Sequence, residues 1–418
     1  MTRLVVAVAL SAAVAAAAAT ASDGSGAPRT VLVADAQTHA PIAGAIVTAG
    51  TTETRTDAHG VVRVDAGAPV IRVRADGYGR EQVDSAALAS GTVLLTPFRP
   101  KALYLSMFGV ASRTLRDSAM QLADTTEINA LVIDLKGDRG YIAYRTANAM
   151  AERAGAQQTI TIRDLPGLAA MLHQRGVYAI ARVVVFKDNP LASARPELAV
   201  KRRDGSLYHD REGLAWTDPF EREVWDYNIA VAVDAARAGF DEVQFDYVRL
   251  PDAQGLAMPG AQTEAARRAA ITGFLSEARR ALVPYNVFLA ADVFGYVCWN
   301  TDDTGIGQRL DDFIDVVDYI SPMLYPSSFQ FGIPGCRNPV GHPYDIVRRS
   351  LEEALSRTHV LPARFRPWLQ AFPDYAFRAG SFRSGEVRSQ IKAAEDVGTN
   401  GWMLWNPRNR YSAADLRP

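Results

Sequence analysis

The chain has 418 residues, 45 basic and 46 acidic, with a formal net charge of −1, 48% hydrophobic and 22% charged residues. This ordinary globular composition excludes a mainly disordered chain, and the length leaves room for two or three domains. The charge balance gives no electrostatic drive toward nucleic acid or an anionic membrane, and two cysteines exclude both a disulfide-built scaffold and a four-thiolate zinc site.

Residues 1–21 read as a secretory signal peptide. Arg3 supplies the positive charge, Leu4 to Ala19 is apolar and alanine-rich, and Ala19-Thr20-Ala21 is a small-residue cleavage site before Ser22. The apolar run is short for a membrane span, and Ser-Asp-Gly-Ser-Gly follows it instead of a charged stop. The mature protein is therefore expected to be exported, without a membrane span. Arginine- and alanine-rich usage points to a GC-rich bacterial source, and so to the periplasm or the medium.

Between residues 28 and 98, short alternating runs are separated by turns. Thr30–Asp35, Pro41–Ala49, Thr54–Asp57, Val61–Val64, Ile71–Ala75 and Val93–Thr96 predict a small all-β sandwich. The segments "PIAGAIVTAG", "TDAHG" and "RADGYGR", together with Asp35, resemble the carboxypeptidase regulatory-like (transthyretin-like) module. That resemblance implies a fold and no activity. His39 and His59 read as solvated loop histidines.

Residues 101–418 contain eight apolar strand candidates: Ala102–Phe108, Ala130–Leu135, Tyr178–Val185, Glu242–Asp246, Val287–Val293, Tyr319–Met323, Arg366–Ala371 and Gly401–Trp405. Helical patterns over Ser112–Leu122, Leu165–Gln174, Phe220–Ala238, Glu264–Ala281, Tyr344–Ser356 and Glu386–Val397 separate them, with Gly176, Gly239 and Gly398 placed as C-terminal caps. Eight strand–helix units predict an α/β fold, a closed (β/α)₈ barrel following the sandwich. An open doubly wound sheet is disfavoured because no glycine-rich phosphate loop follows the first strand.

In such barrels the chemistry sits where strands end. Period two puts Asp246, Asp292 and Asp134 on inward positions at one rim. Converging carboxylates disfavour joint ionisation, as a proton donor beside a nucleophile or base requires. Asp246 is expected to be the nucleophile or base and Asp292 the proton donor, with Asp134 in reserve. Asp134 could instead pair with Lys136 or Arg249. Neighbouring strands favour a short carboxylate gap and hence retention of configuration. Tyr104, Tyr247, Tyr325, Trp299, Trp368 and Trp405 offer flat faces for sugar rings. Lys187, Gln244, Arg249 and Gln370 offer polar contacts to hydroxyls. Trp402 and Trp405 differ in parity, so one of the two faces the mouth.

Taken together, "INALVIDLKGDRGYIAY", "ARVVVFKDNP", "WTDPFEREVWDYNIAVAVDAARAGFDEVQFDYVRLP", "ADVFG", "SPMLYPSSF" and "GWMLWNPRNRY" resemble a glycoside-hydrolase domain family of (β/α)₈ barrels, over nearly all of Lys101 to Tyr411. The resemblance implies a (β/α)₈ barrel that hydrolyses glycosidic bonds in a carbohydrate substrate; separately, no cofactor is expected. A looser similarity to chitinase-like barrels rests on Met323-Leu324-Tyr325 and the strand-eight tryptophan. Their Asp-x-x-Asp-x-Asp-x-Glu run is missing, which argues against substrate-assisted catalysis.

Other functions lack their motifs. The six histidines are scattered, with no paired spacing for metal, and there is no G-x-S-x-G elbow or G-x-x-x-x-G-K-[ST] loop. The alternative from another class is a non-catalytic glycan-binding barrel. Finally, Cys298 and Cys336 follow strands five and six, in loops at one rim. In an exported chain they are expected to form a disulfide across 37 intervening residues, worth on the order of 3–4 kcal/mol.

Overall fold

The computed structural model describes residues 28–88, 91–377 and 384–418. Residues 1–21, expected to be a signal peptide, lie outside the described residues. Seven strands form the first unit: β1 (Arg29–Asp35), β2 (Ile46–Ala49), β3 (Thr52–Arg55), β4 (Val61–Val64), β5 (Val70–Arg74), β6 (Glu81–Asp84) and β7 (Thr92–Leu95). They make two sheets, ordered β4-β1-β7 and β3-β2-β5-β6. Alternate residues Val31, Val33, Val62, Val64, Ile71, Val73, Val93 and Leu95 point into one shared core. Strand β6 escaped the sequence pattern because Glu-Gln-Val-Asp is almost wholly polar, as suits an exposed edge strand paired only with β5. Gly60 has φ +72°, and a Cβ there would lie 2.6 Å from the Val33 carbonyl oxygen, so only glycine fits that turn.

The second unit contains β8 (Lys101–Leu105), β9 (Ala130–Lys136), β10 (Tyr178–Val184), β11 (Lys201–Arg202), β12 (Glu242–Asp246), β13 (Leu256–Ala257), β14 (Phe288–Phe294), β15 (Tyr319–Met323), β16 (Trp368–Gln370) and β17 (Trp402–Trp405). Strands β11 and β13 pair in a small outlying ladder. The other eight close a parallel barrel in the order β8-β9-β10-β12-β14-β15-β16-β17. The fold is thus a (β/α)₈ barrel preceded by a small β sandwich.

Helices Arg113–Thr125, Leu165–Gln174, Arg222–Arg237, Glu264–Leu282, Pro343–Thr358 and Ser384–Val397 lie where the apolar periodicity put them. Ser112 Oγ caps the first of these by accepting from Leu115 N. Val243, Phe245, Trp402 and Leu404 face the helices. Tyr104, Val132, Ile180, Trp368 and Met403 fill the interior instead. Trp405, opposite in parity to Trp402, is the member of that pair that faces the mouth.

The sandwich seals the end of the barrel where the strands begin. Arg80 Nη2 donates to Asp241 (2.9 Å) just before β12, and Asn286 Nδ2, just before β14, donates to the Val73 and Glu81 carbonyls (3.3 Å each). Buried Arg74 lies between Glu53 (2.6 Å) and Asp318 (3.5 Å), the residue before β15. The opposite end, where the strands finish, stays open for chemistry.

The expected disulfide is absent: Cys298 and Cys336 are both free and buried. Cys298 ends a short turn after β14 and is pinned by Arg357 Nη1 donating to its carbonyl (3.0 Å). Cys336 closes a tight turn through reciprocal backbone hydrogen bonds with Ile333 (2.8 and 2.9 Å). Burial pushes the Cys298 thiol up to about 12, so it stays protonated and inert.

Candidate active site

Asp246 is the last residue of β12. Phe245 pairs with Ala291, so one step further brings Asp246 beside Asp292 on β14. On the neighbouring side, Arg182 of β10 stands opposite Asp134 of β9. These four side chains meet at the open end. Arg182 Nη1 donates to Asp134 Oδ1 (2.6 Å), its Nη2 to Asp138 Oδ1 (2.7 Å), and its Nε and Nη2 to Asp246 Oδ2 (3.0 and 2.5 Å). One buried guanidinium therefore bridges and orients three carboxylates.

Asp134 pairs with Arg182, and neither Lys136 nor Arg249 is its partner. A bulge explains Lys136. Arg182 pairs with Asp134, yet the next residue, Val183, pairs with Lys136, so Leu135 is the extra residue and Lys136 is turned out of the barrel interior. Outside, its ammonium meets Asp188 (2.7 Å) and Asn228 (2.9 Å) in a fully buried site.

Asp292 is different in kind. It has no salt-bridge partner among the described residues. Trp368 Nε1 donates to its Oδ1 (2.8 Å), and its buried Oδ2 has no hydrogen-bond partner. Burial, reinforced by the Asp246 charge, holds its carboxyl well above the usual carboxylate range, which favours the protonated form. Asp134 is pushed up to about 6, chiefly by burial and against the pull of Arg182. Its Oδ2 accepts from Tyr104 Oη (2.6 Å), whose own pKa burial raises further. Gln308 holds the end of β14: Nε2 donates to the Asp292 carbonyl and Oε1 accepts from Phe294 N (3.1 Å each).

Arg182, Asp138, Asp246, Asp292 and Gln308 line a cavity of about 150 Å³, while Asp134 and Tyr104 stand outside its lining. Asp246, Asp292, Tyr247, Arg249, Tyr325, Trp368 and Trp405 all contribute walls. Trp405 stacks on Tyr104 (3.9 Å between rings) and meets Trp368 edge-on (5.4 Å). Tyr247 has φ +49°, a left-handed conformation that is costly for a bulky residue, and its N–H donates to Asp246 Oδ1 (2.6 Å). The strained turn thus holds the carboxylate.

Four residues expected at the site stand elsewhere. Gln244 is buried below the mouth, donating to Ser321 Oγ (3.1 Å). Gln370 ties loops together, accepting from Ser327 N (3.0 Å) and donating to Ser327 Oγ (2.8 Å). Trp299 packs outside the barrel and donates to Ser350 Oγ (2.9 Å). Lys187 lines a second, adjoining depression and pairs with Asp210 (3.3 Å) and Glu212 (3.0 Å). Sequence reasoning passed over Arg182, Asp138 and Gln308. The signal for Arg182 was present: an arginine inside the apolar run "YAIARVVVF" must be paired when buried. Asp138 and Gln308 lie on loops, where no periodicity marks them.

Among solved structures, the PgaB (BpsB) glycoside hydrolase domain from Bordetella bronchiseptica is similar with TM-score 0.54 and 16% identity, over 75% of this chain and 95% of that one. A beta-galactosidase from the psychrophilic Marinomonas ef1 gives TM-score 0.55 and 11% identity, over 76% and 58%. Both likenesses are of fold. A hypothetical protein from Ruminiclostridium thermocellum ATCC 27405 is 36% identical over 46% of this chain and 97% of its own, with TM-score 0.41. No curated protein matches the chain. Residues 102–411 match the family described as "Putative glycosyl hydrolase domain". That match runs from the first barrel strand through the eighth and past the whole carboxylate cluster, so the chain belongs to this family of glycosyl hydrolases.

Proposed function

We propose that the barrel mouth hydrolyses a glycosidic bond with Asp292 as proton donor and Asp246 as nucleophile. The observation that carries this reading is the contrast between the two carboxyls. Asp292 is buried without a salt bridge among the described residues and its carboxyl is held well above the usual range, whereas Asp246 is held by Arg182 and by the Tyr247 backbone N–H. Asp292 would protonate the leaving oxygen as Asp246 attacks the anomeric carbon. Water would then release the glycosyl-enzyme, with Asp292 taking up its proton. Adjacent strands lie about 4.8 Å apart, near the roughly 5–5.5 Å carboxyl spacing of retaining enzymes. Trp405, Trp368 and Tyr325 would stack on the sugar, while Asp134 serves Arg182 and Tyr104 and takes no proton-transfer role.

The alanine-rich, cleavable-looking start of the chain supports placing this hydrolysis outside the cytoplasm. Mass spectrometry of exported protein would reject that location if the N-terminus were still Met1 or Thr2.

The mechanism is tested by reducing-end release from a glycan panel, with Asp246→Asn and Asp292→Asn assayed beside the native chain. Both variants should retain binding and lose turnover, and product NMR should show retained configuration. Wild-type turnover in Asp246→Asn would defeat the assignment. Glycan binding without hydrolysis by the native chain would instead establish a non-catalytic glycan-binding barrel.

A further inference from the structure

The mouth holds two buried arginines with opposite circumstances. Arg182 is saturated by three carboxylates. Among the described residues Arg249, three residues beyond Asp246, has no salt bridge and a single side-chain hydrogen bond, from Nη1 to the Leu250 carbonyl (2.9 Å). It is nonetheless only 8% exposed. Aromatic rings surround its guanidinium carbon: Phe294 at 4.5 Å, Trp216 at 4.8 Å and Tyr247 at 5.1 Å from their centroids. These rings hold the guanidinium plane in place without using its N–H donors.

Arg249 also occupies a particular position. It lines the carboxylate cavity and the adjoining depression of about 600 Å³ that Lys187, Tyr208 and Trp216 share with it. In that depression Lys187 is already matched by Asp210 and Glu212. The free donors of Arg249 therefore stand on the wall between the bond-cleaving point and the next space a glycan chain would enter. A caged, desolvated guanidinium discriminates by charge as well as by shape. A neutral hydroxyl compensates its lost hydration poorly, whereas a carboxylate or a sulfate ester can accept two parallel N–H bonds through two of its oxygens. Burial itself pulls Arg249 below its ordinary value, and a bound anion would reverse that shift.

We infer that Arg249 selects an anionic glycan, one carrying a carboxylate or a sulfate ester on the sugar beside the scissile bond. This inference rests on reading the mouth as a glycosidase site.

The test uses the full chain and four sets of probes: polyuronates (polygalacturonate and alginate), sulfated galactans, the same polyuronates after carboxyl reduction, and the same galactans after desulfation. Reducing-end release gives kcat/KM, and calorimetry with Asp292→Asn gives binding. The native chain should prefer one anionic set over its neutral counterpart by at least about 30-fold. The set preferred tells carboxylate from sulfate. Arg249→Met should reduce that preference at least tenfold, and Arg249→Lys, which keeps a point charge, should restore part of it. Equal use of carboxyl-reduced and native polyuronate without any gain on sulfated galactan would overturn the inference. So would an unchanged preference in Arg249→Met, or failure of every anionic probe to bind. If Arg249→Met does not fold, the native chain's discrimination between native and reduced polymers decides alone. Binding of an anionic probe that depends on Arg249 but leads to no cleavage would sink the hydrolase reading and leave the anion site standing.

Discussion

Trp368 Nε1 donates to Asp292 Oδ1 at 2.8 Å, and the other Asp292 oxygen is left buried with no partner. The bond fixes the carboxyl rotamer from the neighbouring interior. The orphaned oxygen costs least when it carries a proton. The tryptophan donor therefore orients the acid, while burial raises its pKa against the pull of that bond.

Activity should follow the protonated form of Asp292, being present below its raised pKa and lost as pH rises through it. Asp292→Asn should lower turnover by about 10²–10⁴-fold, the usual worth of a general acid. Trp368→Phe removes a hydrogen bond that favours the charged form, so the alkaline limb should move to higher pH. A pH–rate profile whose alkaline limb is unmoved in Trp368→Phe would contradict this linkage.

Arg182 should be the most sensitive single position for stability at the mouth. Replacing it by Met strands Asp134 and Asp246 as buried acids without their cation. Breaking a buried pair in this way costs about 3–5 kcal/mol. Urea unfolding should show that loss. A change below about 1 kcal/mol would mean that water or backbone groups replace the guanidinium.

The seam between sandwich and barrel should carry a pH signature. Burial pushes Asp76 from 3.8 up to about 6, against the pull of Arg364. A carboxyl whose folded pKa is raised binds its proton more tightly when folded, so its contribution is largest below pH 3.8 and is lost as pH rises through about 6. Melting temperatures of the native chain and Asp76→Asn, measured between pH 4 and 7, should diverge with the native chain losing ground as pH rises. Parallel curves would show that Asp76 is hydrated at the seam.

The two cysteines should behave as sealed thiols. Alkylation in denaturant without reductant should add two groups per chain, and the native chain should resist the same reagent. Melting should not respond to reductant. Labelling that required prior reduction would restore the cross-link.

Much of this molecule could be read along the chain. The eight barrel strands announce themselves as apolar runs because a parallel barrel buries both faces of each strand. The inward parity of Asp246 and Asp292 follows from period two, since Val243 and Phe245 need the helices. Tyr104, Trp368 and Trp405 were legible for the same reason. In contrast, Trp299 and Gln370 have the residue types of a sugar site but lie on a loop and a short strand, and neither setting reveals what the side chain meets.

Local pattern and parity determined the elements, the barrel and the rim to which the acids belong, because burial periodicity is a property of neighbours in sequence. Charge pairing was decided only in three dimensions. A bulge turned Lys136 out of the interior to Asp188, Arg182 took Asp134 and Asp246, and Asp292 was left without a salt bridge among the described residues. Coulomb energies between buried groups depend on separations of a few ångströms across strands far apart in the chain, and no sequence spacing encodes them.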